Sequence, residues 1–183
     1  PALSYPLGVL HVMQNIRGDL NKRASANHGV ISRADLADLA VSPKQRRTLQ
    51  RDGTLIPLGH RTFAHAAAPR TVSQRVRAAT LECDGHASEA AGAWVHGLSG
   101  FDPGPRPAVL TRRLGASDES PIAQIHTTTW LPPDDVTVVD GIPTLSVART
   151  IFSLASLVPR LPAERLAGVV DEAIRDGKAR DAW

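Results

Sequence analysis

Residues 43–51 hold Lys44, Arg46, Arg47 and Arg51 but only one strong hydrophobe, Leu49. Wound as a helix, the segment places Lys44, Arg47 and Arg51 at i, i+3 and i+7, a single cationic stripe beside Gln50. Arginine can bridge guanine O6 and N7, and glutamine can bridge adenine N6 and N7, so such a stripe suits the major groove of duplex DNA. The plainer alternative is the solvated face of an ordinary surface helix. Downstream, His60 and Arg61 fall at the tip of a strand-turn-strand pattern, where backbone or minor-groove contacts are expected.

Other chemistries find less support in the residues. Cys83 and His86 are three apart, but two ligands do not make a zinc site and Cys83 lies on an apolar stripe. His60 and His65 belong to a short hairpin, and His11, His28, His96 and His126 are scattered, so each is expected on the surface or satisfied in a core. Nuclease chemistry needs clustered carboxylates with a nearby Lys. The back half has one Lys, Lys178, beside Asp171, Glu172 and Asp176, and that acidic run reads as the wet face of the last helix. Ser88 and Ser146 read as helix caps, and no nucleophile elbow or phosphate-binding glycine loop is present. The expectation is a protein that is not an enzyme and uses no cofactor and no metal.

Charge is unevenly spread along the 183 residues. Residues 1–78 carry 12 basic and 4 acidic side chains, a net +8, whereas residues 79–183 carry 9 and 14, a net −5. That division suggests a polyanion-binding module joined to something else. With three Phe, three Trp and one Tyr, the chain is too poor in aromatics for a single-strand stacking platform. One cysteine excludes an intramolecular disulfide and fits a reducing cytoplasm. No apolar run is long enough for a membrane span and no signal-peptide layout is present, so neither a membrane nor export is expected.

The elements that would position the cations can be read from periodicity and caps. Val9, Met13, Ile16 and Leu20 predict an amphipathic helix over about 8–26, ended by His28-Gly29. Val30-Ile31 is a short apolar entry. Ser32 to Asp35 and Ser42 to Gln45 each match a capping box, the second with Pro43 at the first helical position. They predict a short helix with Leu36 and Leu39 inward, and a third helix from Pro43 to about Asp52. Residues 54–58 and 61–65 read as strands joined by Gly59-His60 in a type II′ turn. After a linker at 66–70 come a helix with Val72, Val76, Ala79 and Cys83 on one stripe, and a helix opened by Ser88. Strands follow at 108–111, 122–129 and 136–139. Two closing helices carry Val147, Ile151, Leu154 and Ala155, then Leu166, Val169, Val170, Ala173 and Ile174. The fold expected is α+β: an N-terminal winged helix-turn-helix in residues 1–70, followed by a smaller, acidic, mixed helix/strand domain in residues 71–183.

The runs His28 to Ala37, Val41 to Leu49 and Gly53 to Ala64 resemble the N-terminal winged helix of AbiEi-type antitoxins from actinobacteria and their phages. The run Leu131 to Ala155 is similar to the second domain of the same proteins. The resemblance implies a transcriptional repressor that binds operator repeats near its own promoter and counteracts a nucleotidyltransferase-type toxin. It would carry DNA contacts over to Ser42, Lys44, Gln45, Arg46, Arg47 and Arg51, and to Arg61 in the wing. With Arg33, Gln50 and His60 these complete the candidate set. The back half also looks like the region preceding a Vsr-like nuclease domain in related proteins. The alternatives are therefore the DNA-recognition part of a nuclease system lacking that domain, or a plain transcriptional regulator without a toxin.

Overall fold

The structure is a computed structural model and describes residues 7–112 and 119–179, with side chains in the first helix described from residue 14. The chain runs α1 (Leu7–Ala26), β1 (Val30–Ser32), α2 (Arg33–Asp38), α3 (Pro43–Arg51), β2 (Leu55–Pro57), β3 (Thr62–His65) and α4 (Val72–Cys83). It continues with β4 (His86–Ala87), α5 (Glu89–Val95), β5 (Ala108–Thr111), β6 (Gln124–Thr127), a 3-10 turn at Pro133–Asp135, β7 (Val136–Val139), β8 (Ile142–Leu145), α6 (Val147–Ala155) and α7 (Ala163–Arg175). The fold is α+β. Of the predicted α1 stripe, Val9 and Met13 lie outside the described side chains, as does His11.

Both capping boxes form. Ser32 Oγ accepts from Asp35 N while the Asp35 carboxylate takes the Ser32 amide, and Ser42 with Gln45 does the same for α3. Between them the chain turns through Ala40 at φ 51°, closed by the Val41 amide donating to Leu36 O. Leu20, Ala24, Ile31, Leu36, Leu49, Leu55 and Phe63 make the first core. Leu49 is 0% exposed, so the one strong hydrophobe of α3 anchors the helix and leaves its charged side outward. The strands over this core form an antiparallel sheet in the order β1-β3-β2.

The second sheet has the order β6-β5-β4-β8-β7, with β5·β6 and β4·β8 parallel and the remaining pairs antiparallel. One core joins α5, α6 and α7 through Ala93, Leu98, Ile151, Leu154, Val169 and Ala173. Residues 71–183, expected to form the smaller part, are the larger, 113 residues against 70, and among the described residues they carry five strands against three. The excess comes from β4 and β8, which the sequence reading did not identify as strands. The short β4 has no room for an alternating pattern, and β8 contains Pro143, a residue depleted in strands. Asp140 and Gly141, at φ 48° and 72°, close β7 onto β8 in the two-residue turn favoured by Asp-Gly. Similarly β1, seen only as an apolar entry, is buried on every residue and shows no alternation.

α4 lies against both sheets, touching β1 and β3 of the first and β4, β5 and β8 of the second. Its predicted stripe works as expected toward the second sheet. Val76 packs with Ala87 and Ile142, and Ala79 and Cys83 pack with Val109 and Ala123. A second stripe is also buried: Gln74 at 3%, Ala78 at 2% and Glu82 at 6% exposure, spaced i, i+4 and i+8. Its neighbour Arg77 donates to Asn27 Oδ1 from Nε and Nη2 at 3.3 and 3.0 Å. The tip of the β7–β8 hairpin also meets the first unit, where His28 Nε2 lies 2.6 Å from Asp140 O.

His96 follows α5 with Nε2 2.7 Å from Leu145 O. Burial holds its imidazole below the ordinary histidine range; the Leu145 hydrogen bond opposes this and the Lys178 charge adds to it. His86 is likewise lowered by burial, opposed by Asp84. The unfolded chain, with ordinary histidines near about 6.5, therefore takes up protons first as pH falls. This contribution to stability is complete above that value and is lost on the acid side. The melting temperature should decline between about pH 7 and about pH 5, less steeply in His96→Gln, which keeps a donor for Leu145 O. Equal slopes in parent and variant would remove His96 from the explanation.

Candidate nucleic-acid interface

The cations of residues 1–78 fall into two groups. Arg17 pairs with Asp52 at 2.6 Å, Lys22 with Asp19 at 3.7 Å, and Arg23 with Asp35 and Asp38 at 3.5 and 3.7 Å. Burial alone would raise the Asp52 carboxyl, but hydrogen bonds from Thr54 Oγ1 and N together with Arg17 hold it below the usual carboxylate range. These partners use all four acidic side chains of this part of the chain. Among the described residues, Arg33, Lys44, Arg46, Arg47, Arg51 and Arg61 have no carboxylate at ion-pair distance. Arg70, Arg75 and Arg77, in the linker and α4, have none either, so the positive charge that remains is shared between α3, the β2–β3 loop with Arg33, and the start of α4.

Lys44, Arg47 and Arg51 are exposed, as the i, i+3, i+7 stripe requires, while Arg46 and Gln50 are half-buried at its flanks. Ser42 is exposed at the N-cap. It and half-buried Gln45 are already engaged with each other, since the Ser42 amide donates to Gln45 Oε1 at 2.8 Å and the Gln45 amide to Ser42 Oγ at 3.3 Å. That leaves the Gln45 side-chain Nε2 as its free polar group among the described residues. Arg33 and Arg61 form a separate pair, with the Arg33 amide donating to Arg61 O at 2.8 Å where β1 ends and β3 begins. Both side chains and His60 are exposed. No hydrogen bond links this pair to the α3 stripe among the described residues.

The hairpin tip departs from the expected two-residue turn. Pro57 pairs with Phe63, and the Leu58 amide donates to Thr62 O, so the loop is the three residues 59–61. Gly59 does not occupy the left-handed region a type II′ turn would need. The loop is shaped instead by α4. The Glu82 carboxylate accepts from His60 N at 2.6 Å, Arg61 N at 2.8 Å and Thr62 Oγ1 at 2.9 Å. Glycine is needed at 59 because a Cβ there would lie 2.6 Å from the same carboxylate. A sequence reading could not find this contact, because Glu82 looks like an exposed charge on an otherwise apolar helix face.

In the second unit three further expectations change. Ser88 stands at the N-cap of α5 but its Oγ makes no cap bond; Glu89 takes φ 49° and its own amide donates to Ser153 Oγ. His126 is not isolated: it and His86 flank Leu110 in register across β4, β5 and β6, with His126 Nε2 3.3 Å from Glu89 Oε1. His86 Nδ1 and Ser88 Oγ are buried without a partner. Glu172 is not on the wet face of α7. It accepts from Ser99 Oγ and N at 2.6 and 2.9 Å, and these bonds hold its carboxyl below the usual range. Lys178 is bound to Gly97 O and Asp176. No group of three His, Cys, Asp or Glu side chains among the described residues is placed to hold a metal ion. No helix among them is long and apolar enough to cross a membrane. Comparison with known protein families and with curated proteins finds no match for the chain.

The Glu82 clamp makes a direct prediction. Glu82→Ala removes the acceptor of three donors around a buried position and should cost about 2–4 kcal/mol of unfolding free energy. Glu82→Gln, which retains one acceptor oxygen, should lose less. Urea unfolding of both measures this, and a loss below about 0.5 kcal/mol for the alanine variant would mean that water replaces the carboxylate at little cost.

Proposed function

We propose that this chain is a sequence-specific duplex-DNA-binding protein of the AbiEi antitoxin kind. In this reading it represses its own toxin-antitoxin operon in the cytoplasm, opposes a nucleotidyltransferase-type toxin, and acts by binding rather than catalysis. The order α1-β1-α2-α3-β2-β3, with sheet order β1-β3-β2, supports reading residues up to about 70 as a winged helix-turn-helix. α3 is then the recognition helix and the 59–61 loop the tip of the wing. The observation that carries the proposal is the uncompensated stripe of Lys44, Arg47 and Arg51. A helix serving only as a solvated surface has no need to gather its cations on one side while every nearby carboxylate is paired elsewhere.

Within that assignment Arg47, in the middle of the stripe, is the base-reading residue, and Lys44, in the first turn, meets phosphate. Arg33 and Arg61, joined at the ends of β1 and β3, supply backbone contacts beside the helix. The acidic second unit repels phosphate and is left for a protein partner. If Lys44, Arg46, Arg47, Arg51, Arg61 and one further cation each neutralise a phosphate, log K falls against log salt with a slope of about −5.

The test is binding of the full chain to duplex DNA from upstream of its own gene. Arg47→Ala should cost about 1–3 kcal/mol and relax preference at one base position, whereas Lys44→Ala should weaken all sequences alike and reduce the salt slope by about one. Unchanged affinity in Arg47→Ala, Arg51→Ala and their combination at moderate salt would make α3 an ordinary charged surface and end the repressor reading.

A further inference from the structure

A cavity of about 320 Å³ opens where the two sheets meet α4. Its wall is contributed by Leu58 from the end of the β2 segment, by Arg70 to Ala78 from the linker and the first turns of α4, and by Pro105 and Ile122 from the loops ahead of β5 and β6. Arg106 fixes those two loops to each other, with Nη2 donating to Ser120 O and Ala123 O, both at 2.8 Å. The volume falls within the range of small-ligand sites.

The lining has a one-sided chemistry. Leu58, Val72, Ala78, Pro105 and Ile122 make it apolar, Arg70 and Arg75 make it positive, and among the described residues it holds no acidic side chain. Arg75 is half-buried, and its guanidinium has no hydrogen-bond or ion-pair partner among the described residues. Gln74 accepts from Arg70 Nη1 at 3.3 Å through Oε1, while its buried Nε2 donates to nothing. The half-buried Arg75 guanidinium is open to water or to an acceptor from outside the chain, whereas Gln74 Nε2 lies beside Gly29, which is not part of this lining. The arrangement differs from the α3 stripe, where the cations stand free in solvent with no apolar wall beside them.

We propose that this cavity binds a small amphipathic anion, an apolar body bearing one acidic group. Arg75 and Arg70 receive the acidic group, and Leu58, Val72 and Ile122 enclose the body. The proposal goes beyond the DNA-binding reading and does not depend on it.

The test uses anilinonaphthalene sulfonate, followed by its fluorescence on the full chain, beside phenylnaphthylamine, which has the same rings without the charge. The sulfonate should bind saturably. Arg75→Gln should weaken it about tenfold or more, the worth of one charge-assisted hydrogen bond, and leave phenylnaphthylamine unchanged. Arg70→Gln should weaken the sulfonate in the same direction. Ile122→Trp, which fills the wall, should remove both probes, and Arg160→Gln at a remote exposed site should alter neither. Thermal melts matching the parent establish that each variant is folded. Non-saturable binding, or equal sulfonate affinity in parent and Arg75→Gln, would overturn the proposal. So would loss of DNA affinity in Arg75→Gln with sulfonate binding intact, because Arg75 would then belong to the DNA surface. Arg47→Ala, expected to affect DNA alone, separates failure here from failure of the DNA-binding reading.

Discussion

The buried carboxylate of Glu82 is the contact on which the relation between the two halves of the chain depends. A carboxylate removed from water is tolerated only when its lone pairs are met, and here two backbone amides and a hydroxyl from the 59–61 loop and Thr62 meet them. The loop in turn has its amides satisfied without water. Neither side is complete without the other, so the hairpin is held to α4 by mutual satisfaction of polar groups and not by apolar burial. This fixes the direction in which His60 and Arg61 project, since their backbones are bound while their side chains stay exposed.

α4 can serve both sheets because a helix has room for two stripes. Val76, Ala79 and Cys83 face the second sheet and contribute in the usual way by removing apolar area from water. Gln74, Arg77 and Glu82 face the first unit and contribute through hydrogen bonds to Arg70, Asn27 and the hairpin. The two interfaces thus differ in chemistry. Beside Ala78 lies the cavity where Leu58 and Ile122 meet two guanidiniums.

The charge distribution follows the same division of labour. Acidic side chains in the first unit are spent on cations that hold elements together: Arg17 joins α1 to the end of α3, and Arg23 joins α1 to α2. The exposed pairs among them are individually worth only about 0–1 kcal/mol. Their larger effect is to leave Lys44, Arg47 and Arg51 without counter-charges, so that this face of α3 keeps its positive field. Electrostatic focusing of this kind acts on encounter with a polyanion more than on folding.

Local signals were legible wherever a short stretch of chain satisfies its own backbone. The capping boxes at Ser32 and Ser42, Pro43 at the start of α3, Gly53 beyond its end and the apolar stripe of α4 all depend on residues three or four apart, and all formed as read. The cationic stripe was legible for the same reason. What the sequence could not contain was any feature whose partner is distant. Glu82 reaches back more than twenty residues, which changed the hairpin loop from two residues to three; Ser99 draws Glu172 out of solvent; Ser153 binds the Glu89 amide at the helix start where Ser88 was expected to cap. The strands β1, β4 and β8 belong with these, because their short segments carry no period and become strands only when neighbouring strands supply their hydrogen bonds. Helix ends, stripes and charge patterns are thus set by neighbours along the chain, whereas loop shape, short strands and the fate of single polar groups are decided by which distant atoms the fold brings within hydrogen-bond reach.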